Sequence, residues 1–258
     1  IRQQCSTALS AQFFLDLGQL YQRLGDMTNA HGVYAAGAAS YPDDPHVQRR
    51  LADSYFTVFQ DYTNAIAHNK AAALNYKRMY GAPMYEALFS IAMSYERDGE
   101  PDKAQIQYQN ILTQLEDAMD PLWQSRTRRY LGKLFLEMGD TNAALAQFQL
   151  DTRSTAQHPA YSYNKVLDLS AALRRPVIYA DAVRSYYATC STNDAQALVR
   201  YVDFMNRVAA PSDAQAALKE ARQILADRPA LLQTLQSTPA WWQTWTNIAL
   251  RLNLSPLP

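Results

Sequence analysis

The stretch Phe14-x-x-Leu17-Gly18-x-x-Tyr21-x-x-x-Gly25-Asp26-x-x-x-Ala30-x-x-x-Tyr34, closed by Pro42, decides how this chain folds, because it recurs. Leu131-Gly132-x-x-Phe135-x-x-x-Gly139-Asp140-x-x-x-Ala144-x-x-x-Phe148 repeats it in the same phase. Between them lie Ile91-Ala92-x-x-Tyr95-x-x-x-Gly99 with Ala104 and Tyr108, and Leu51-Ala52-x-x-Tyr55 with Asp61 and Ala65. A ring therefore recurs at 21, 55, 95 and 135, and an alanine at 30, 65, 104 and 144. Self-similarity at this period is the mark of a repeat architecture.

Each position has a physical reading. Gly18, Ala52, Ala92 and Gly132 lack bulk, so a first helix (A) can approach a second (B) closely. Tyr21, Tyr55, Tyr95 and Phe135 stand three residues later on the same helical face and are expected to fill the seam. On that reading Tyr95→Ala should cost about 3–5 kcal/mol, as for a buried aromatic. Gly25, Gly99 and Gly139 suit the left-handed residue that ends helix A. Asp26, Asp61 and Asp140 suit the start of helix B. Pro42, Pro45, Pro83, Pro121 and Pro159 punctuate the gaps between pairs. The second copy has one residue too many before Asp61 and no turn glycine.

These residues resemble the tetratricopeptide repeat, a pair of antiparallel helices stacked into a solenoid. The resemblance implies an all-α fold, a right-handed superhelix of helix pairs. Four units fall at about 11–44, 45–80, 85–121 and 125–158, after a flank over 1–10. Two degenerate pairs occupy 159–230, one carrying Leu169, Ser170, Leu173, Ala182 and Tyr186, the other Tyr201, Phe204, Val208 and Ala217, before Pro229. A capping helix and tail fill 231–258, with the last helix opening at Pro239 and Trp241, Trp242 and Trp245 along it. Terminal units of a solenoid are atypical because one face has no neighbour.

The composition narrows the function. Of 258 residues 48% are hydrophobic and 19% charged, which excludes a disordered chain. Lys+Arg and Asp+Glu are equal at 24, so the basic surplus of a nucleic-acid binder is missing. No apolar run reaches the length of a membrane helix. The eight glycines all lie at or before Gly139, and neither a phosphate-binding loop nor a dinucleotide fingerprint occurs. His31, His46, His68 and His158 show no metal-ligand spacing and read as surface residues. No nucleophile elbow or zinc-protease motif is present, so no catalytic residue, metal or cofactor is expected. Cys5 and Cys190 are too sparse for a disulfide framework.

In tetratricopeptide-repeat proteins peptide ligands lie on the concave, A-helix side. Carried over by phase, the resemblance implies Arg49, Asp53 and Phe56 in the second unit, Phe89, Met93 and Arg97 in the third, and Arg126, Arg129 and Lys133 in the fourth. Arg126, Arg129 and Lys133 share one helical face by their spacing. With Arg49 they make a positive patch beside Phe89 and Met93, suited to an acidic or carboxylate-bearing segment with an apolar anchor. The clamp by which some family members hold a chaperone's C-terminal carboxylate is missing, its positions being Leu15, Gln19, Arg50, Glu86 and Ser90. The expected function is a non-enzymatic scaffold for a peptide or protein partner. Arg outnumbers Lys 18 to 6 and Asp outnumbers Glu 18 to 6, which with abundant Ala, Gln and Tyr gives the expectation of a bacterial, exported protein. Among tetratricopeptide-repeat classes the resemblance then implies an accessory component of an envelope, pilus or secretion assembly. The alternative is a piece of a larger protein, such as a polysaccharide-export porin or a transcriptional regulator. The expected location is the bacterial periplasm or envelope, with the cytoplasm as the alternative.

Overall fold

The structure is a computed structural model, and it describes residues 10–118, 120–153, 160–190 and 194–256. Cys5, His158, Pro159 and the side chain of Asp117 lie outside the described residues. Helices account for the regular structure there, with no strand among the described residues. The chain divides into two compact units, Ile1–Met138 and Gly139–Pro258.

The first unit holds α1 (Ala11–Arg23), α2 (Met27–Ser40), α3 (Pro45–Ser54) with a π-helical turn (Tyr55–Phe59), α4 (Tyr62–Tyr80), α5 (Tyr85–Arg97), α6 (Pro101–Ala118) and α7 (Pro121–Glu137). Each helix packs on the next, and α1 meets α3 as α5 meets α7. Odd-numbered helices are the A members and even-numbered helices the B members. The second unit holds α8 (Thr141–Thr152), α9 (Ala160–Ala172), α10 (Pro176–Thr189), α11 (Ala195–Val208), α12 (Pro211–Ala226), α13 (Pro229–Ser237) and α14 (Pro239–Arg251). Here α8 to α13 again pack in succession, and α14 closes over α11 and α13.

The small residues do what the repeat requires. Ala52 and Ala92 are fully buried, and Gly18 sits so close to the Tyr34 ring that an added Cβ would lie 2.3 Å from Tyr34 Cε1. Gly18→Ala would gain about 1 kcal/mol of helix propensity. The clash outweighs this, since Tyr34 is fully buried and its hydroxyl donates to Gln22 Oε1 at 3.0 Å. The variant is expected to lose a net 1–3 kcal/mol or about that, read as a lower urea midpoint.

The hairpin turns follow a single scheme. Gly25 and Gly99 adopt φ of 79° and 75°, and the next N–H returns to the seam tyrosine: Asp26 N to Tyr21 O at 2.9 Å, Glu100 N to Tyr95 O at 2.9 Å. The second pair must place one more residue in the same gap. It does so by widening the end of helix A into the π-turn Tyr55–Phe59, after which Gln60 takes φ of 53° and Asp61 N reaches Tyr55 O at 3.1 Å. Asp26, Asp61 and Asp140 then cap helix B, accepting from the N–H groups of Asn29, Asn64 and Ala143. Pro45 and Pro121 open α3 and α7 at a position where a missing N–H costs nothing.

The seam tyrosines are less buried than the repeat phase suggests. Tyr21, Tyr55 and Tyr95 are each half-buried, and only Phe135 of the set is in the core at 8% exposure. The Tyr95 ring lies between Lys70 and Lys103, each Nζ 5.6 Å from its centroid, and its hydroxyl accepts from Lys70 at 3.1 Å. The deeper rings belong to helix B: Tyr34, Tyr108 and Phe148 are 0% exposed. The expected 3–5 kcal/mol for Tyr95→Ala is therefore corrected downward and passes to Tyr108.

In the second unit Tyr163, Tyr179, Tyr186 and Tyr187 are core residues, and only Tyr161 is exposed. Tyr179 stacks on Phe204 with centroids 4.6 Å apart, and burial pushes its hydroxyl up to about 12. Cys190 is a free, half-buried thiol whose pKa burial raises.

Candidate functional site

The residues assigned to the A-helix side all lie in the first unit, on α3, the π-turn, α5 and α7. On α3, Arg49 and Arg50 converge on Asp53, at 3.4 and 3.9 Å. Burial raises the Asp53 carboxyl, and the two guanidiniums pull it back only in part. On α5, burial raises Glu96, which accepts a hydrogen bond from the Tyr108 hydroxyl at 3.0 Å and feels Glu137, Arg97 and Lys133. The Tyr108–Glu96 bond repeats the Tyr34–Gln22 bond two pairs earlier, so a B-helix phenol is held twice by the residue after the seam tyrosine.

Phe89 departs from expectation. At 2% exposure it is a core residue and cannot be the open apolar anchor of a groove. It packs against Tyr108 at 5.5 Å, Trp123 at 5.7 Å and Tyr130 at 4.9 Å. The Arg126 guanidinium covers this cluster, 4.6 Å from the Phe89 centroid and 5.0 Å from that of Trp123. Lys133 stands 4.9 Å above Tyr130 in the same way. Arg126 and Lys133 are thus exposed cations held on an aromatic floor, each stabilised by the negative face of a ring. Arg129 is half-buried between them on the helix. Met93 is half-buried and Arg97 exposed, while the Phe56 ring lies 5.4 Å from Tyr62, at the π-turn end of the hairpin.

Trp123 and Tyr130 were not singled out by the sequence reading. Their signal was present: Trp123, Arg126 and Tyr130 stand at i, i+3 and i+7, the same spacing that brings Arg126, Arg129 and Lys133 together.

His31 and His68 also correct the sequence reading. They are half-buried partners across the Tyr55 ring, not surface residues. His68 stacks on Tyr55 at 5.4 Å with planes 6° apart, and its Nδ1 lies 2.8 Å from Gln48 Oε1. His31 meets Tyr55 edge-on at 4.8 Å and Phe59 at 4.5 Å, with Nδ1 2.8 Å from Ser54 Oγ. Burial lowers both from 6.5, and His31 adds to the lowering at His68. A histidine whose folded pKa is depressed contributes stability above its unfolded value of 6.5 and loses it as pH falls through the folded value. Asp53 and Glu96, raised by burial, act in the opposite sense at lower pH. The chain is expected to melt at a lower temperature at about pH 5.5 than at about pH 7.5, and the His31→Gln/His68→Gln double variant should show a smaller difference. An unchanged difference would leave these two rings without that role.

Among the described residues no group of three or more His, Cys, Asp or Glu side chains is placed to hold a metal. No helix among the described residues is long and apolar enough to cross a membrane.

A family profile described as tetratricopeptide repeat matches residues 86–115, which cover α5 and most of α6, the pair that carries Phe89, Glu96 and Tyr108. The chain carries a tetratricopeptide repeat there. The tetratricopeptide fold extends well beyond that pair. The C-terminal part of a tetratricopeptide repeat-containing protein from Cytophaga hutchinsonii matches 91% of this chain over 94% of its own, with TM-score 0.57 and 12% identity. The apo form of RapI matches 94% of this chain over 69% of its own, at 0.60 and 11%. Pseudomonas aeruginosa pilF matches 88% over 97%, at 0.53 and 15%. No sequence among the curated proteins matches this one. Identities this low concern the fold, which in general serves as a scaffold for protein–protein interaction.

Proposed function

We propose that the chain is a non-enzymatic scaffold that holds a peptide or protein segment on the A-helix face of its first unit. The observation that carries this reading is the pair of aromatic-seated cations on α7: Arg126 over Phe89 and Trp123, Lys133 over Tyr130. A guanidinium already fixed by a ring loses little rotamer freedom when it binds a carboxylate. Arg49, Arg97 and Arg129 add positive charge to the same set of helices, while Asp53, Glu96 and Glu137 supply less of the opposite sign. The favoured ligand is acidic. Its apolar anchor meets Met93 and the edge of Trp123, since Phe89 is closed off beneath Arg126.

A place in a bacterial envelope, pilus or secretion assembly is the finer part of the proposal. It rests on the preference for Arg over Lys and Asp over Glu, and on fold similarity to proteins of bacterial origin. Subcellular fractionation of the source cells checks that part independently of the binding face.

Titration with fluorescent acidic, neutral and basic peptides of equal length tests the binding face. The acidic peptide should bind best, with an affinity that falls as salt rises. Charge reversal by Arg126→Glu, Arg129→Glu and Lys133→Glu together should weaken it by about tenfold or more. Equal affinity for all three peptides, or no effect of the triple variant, would remove the proposed face.

A further inference from the structure

Arg126 and Lys133 repeat one arrangement seven residues apart on α7. Each is an exposed cation lying over the ring that stands three residues before it, Arg126 over Trp123 at 5.0 Å and Lys133 over Tyr130 at 4.9 Å. Side chains on a helix lean toward its N-terminus, so both cations tilt the same way and by the same turn. The two rings also share a floor, Trp123 lying 5.7 Å and Tyr130 4.9 Å from the buried Phe89. Two charges are therefore seated on one face of α7 about 10.5 Å apart, the rise of seven helical residues. Arg129, between the seats, is half-buried.

That separation selects the shape of a ligand. One carboxylate is far too small to span it, so each cation takes an acid of its own. Acids that share a face of a β-strand stand about 7 or 13 Å apart and miss one of the seats. In a polyproline II segment, with three residues per turn, acids three residues apart share a face and stand about 9.3 Å apart, within reach of both. An α-helix meets the distance with acids seven residues apart, but a helix of two turns does not hold together by itself in water. A polyproline II segment is ordered before it binds, as the ring-seated cations are, so little freedom is lost on either side. The acid count is limited as well. Glu137 stands one turn past Lys133, and Glu96 feels both of them, so a third acid in step at that end would meet two carboxylates.

We propose that α7 reads a polyproline II segment carrying two acidic residues at i and i+3, one on Arg126 and the other on Lys133. This rests on the acidic-ligand reading of the A-helix face and adds to it the conformation and spacing of the ligand.

The full chain, titrated with fluorescent proline peptides of equal length carrying two aspartates two, three or four residues apart, tests this. An alanine-based helical peptide with aspartates seven apart completes the set. The three-apart peptide should bind at least about fivefold tighter than the other two proline peptides. Arg126→Gln and Lys133→Gln each keep a long side chain over the ring and leave one charged seat. Each should abolish the preference, so that all three spacings bind alike, while melting curves stay close to wild type. Equal affinity of the wild-type chain for the three spacings overturns the proposal and leaves the acidic-face reading standing. A steady gain with each added aspartate whatever its position, or tighter binding of the helical peptide, does the same. If no acidic peptide of any kind saturates by about 5 mM, the reading beneath the proposal falls with it.

Discussion

Tyr108→Ala is expected to lower the unfolding free energy by about 3–5 kcal/mol. Tyr108 is 0% exposed, and its ring meets Phe89 at 5.5 Å and Tyr130 at 6.4 Å. Removing it opens a cavity beneath the floor that seats Arg126 and Lys133. It also takes the Tyr108 hydroxyl from Glu96, whose carboxyl burial already pushes upward. The two effects separate in Tyr108→Phe, which keeps the ring and loses the donor, at a cost of about 1–2 kcal/mol. Urea unfolding followed by circular dichroism gives both numbers, and amide exchange should show α5 and α6 losing protection first. If Tyr108→Ala stays within about 1 kcal/mol of wild type, the helix-B rings are not the core of the first unit. The same variant should weaken acidic-peptide binding, because the aromatic floor under Arg126 loses its support.

Trp245→Ala is expected to cost a similar 3–5 kcal/mol or about that, with a different functional outcome. Trp245 is 0% exposed on α14, the helix that closes over α11 and α13. Its Nε1–H donates to Pro256 O at 2.7 Å, fastening the tail that leaves the helix through Asn253 at φ 55°. Alanine would leave a large void and free that tail. Trp245→Phe should recover much of the packing and none of the hydrogen bond. Acidic-peptide binding at 15 °C or any temperature well below the melt should be unchanged, since no residue of the cationic face lies on α14. A normal melting curve with lost binding would assign Trp245 to recognition instead of capping.

The A-helix face was legible only in part. The i, i+3, i+7 spacing of Arg126, Arg129 and Lys133 gave the cations, but hydrophobicity and helical phase alone made Phe89 look like an open anchor. Whether an aromatic at that phase faces solvent depends on what the next pair lays over it. Here the next pair supplies Trp123, Tyr130 and the Arg126 guanidinium. The seam tyrosines show the converse. Their repeat phase places them at the contact of A and B helices, but a long phenol can extend to the rim, where Tyr95 meets Lys70 and Lys103. The histidines failed for a related reason: His31 and His68 are 37 residues apart in the chain, and only stacking of consecutive pairs brings both to Tyr55.

What the amino-acid order settled unaided is everything governed by short-range geometry. Glycine or alanine where two backbones nearly touch, a left-handed residue after helix A, an aspartate before helix B and a ring four residues beyond the alanine are local requirements, and each leaves a local trace. The extra residue before Asp61 was visible too, although its solution was not, since a loop and a π-turn absorb one residue equally well on paper. Tertiary structure alone decided which side chains are covered. Burial is a property of neighbouring pairs, and identical phases gave a sealed Leu134, a sealed Ser94 and an exposed Leu20 because, among the described residues, helices lie across the first two and none across the last.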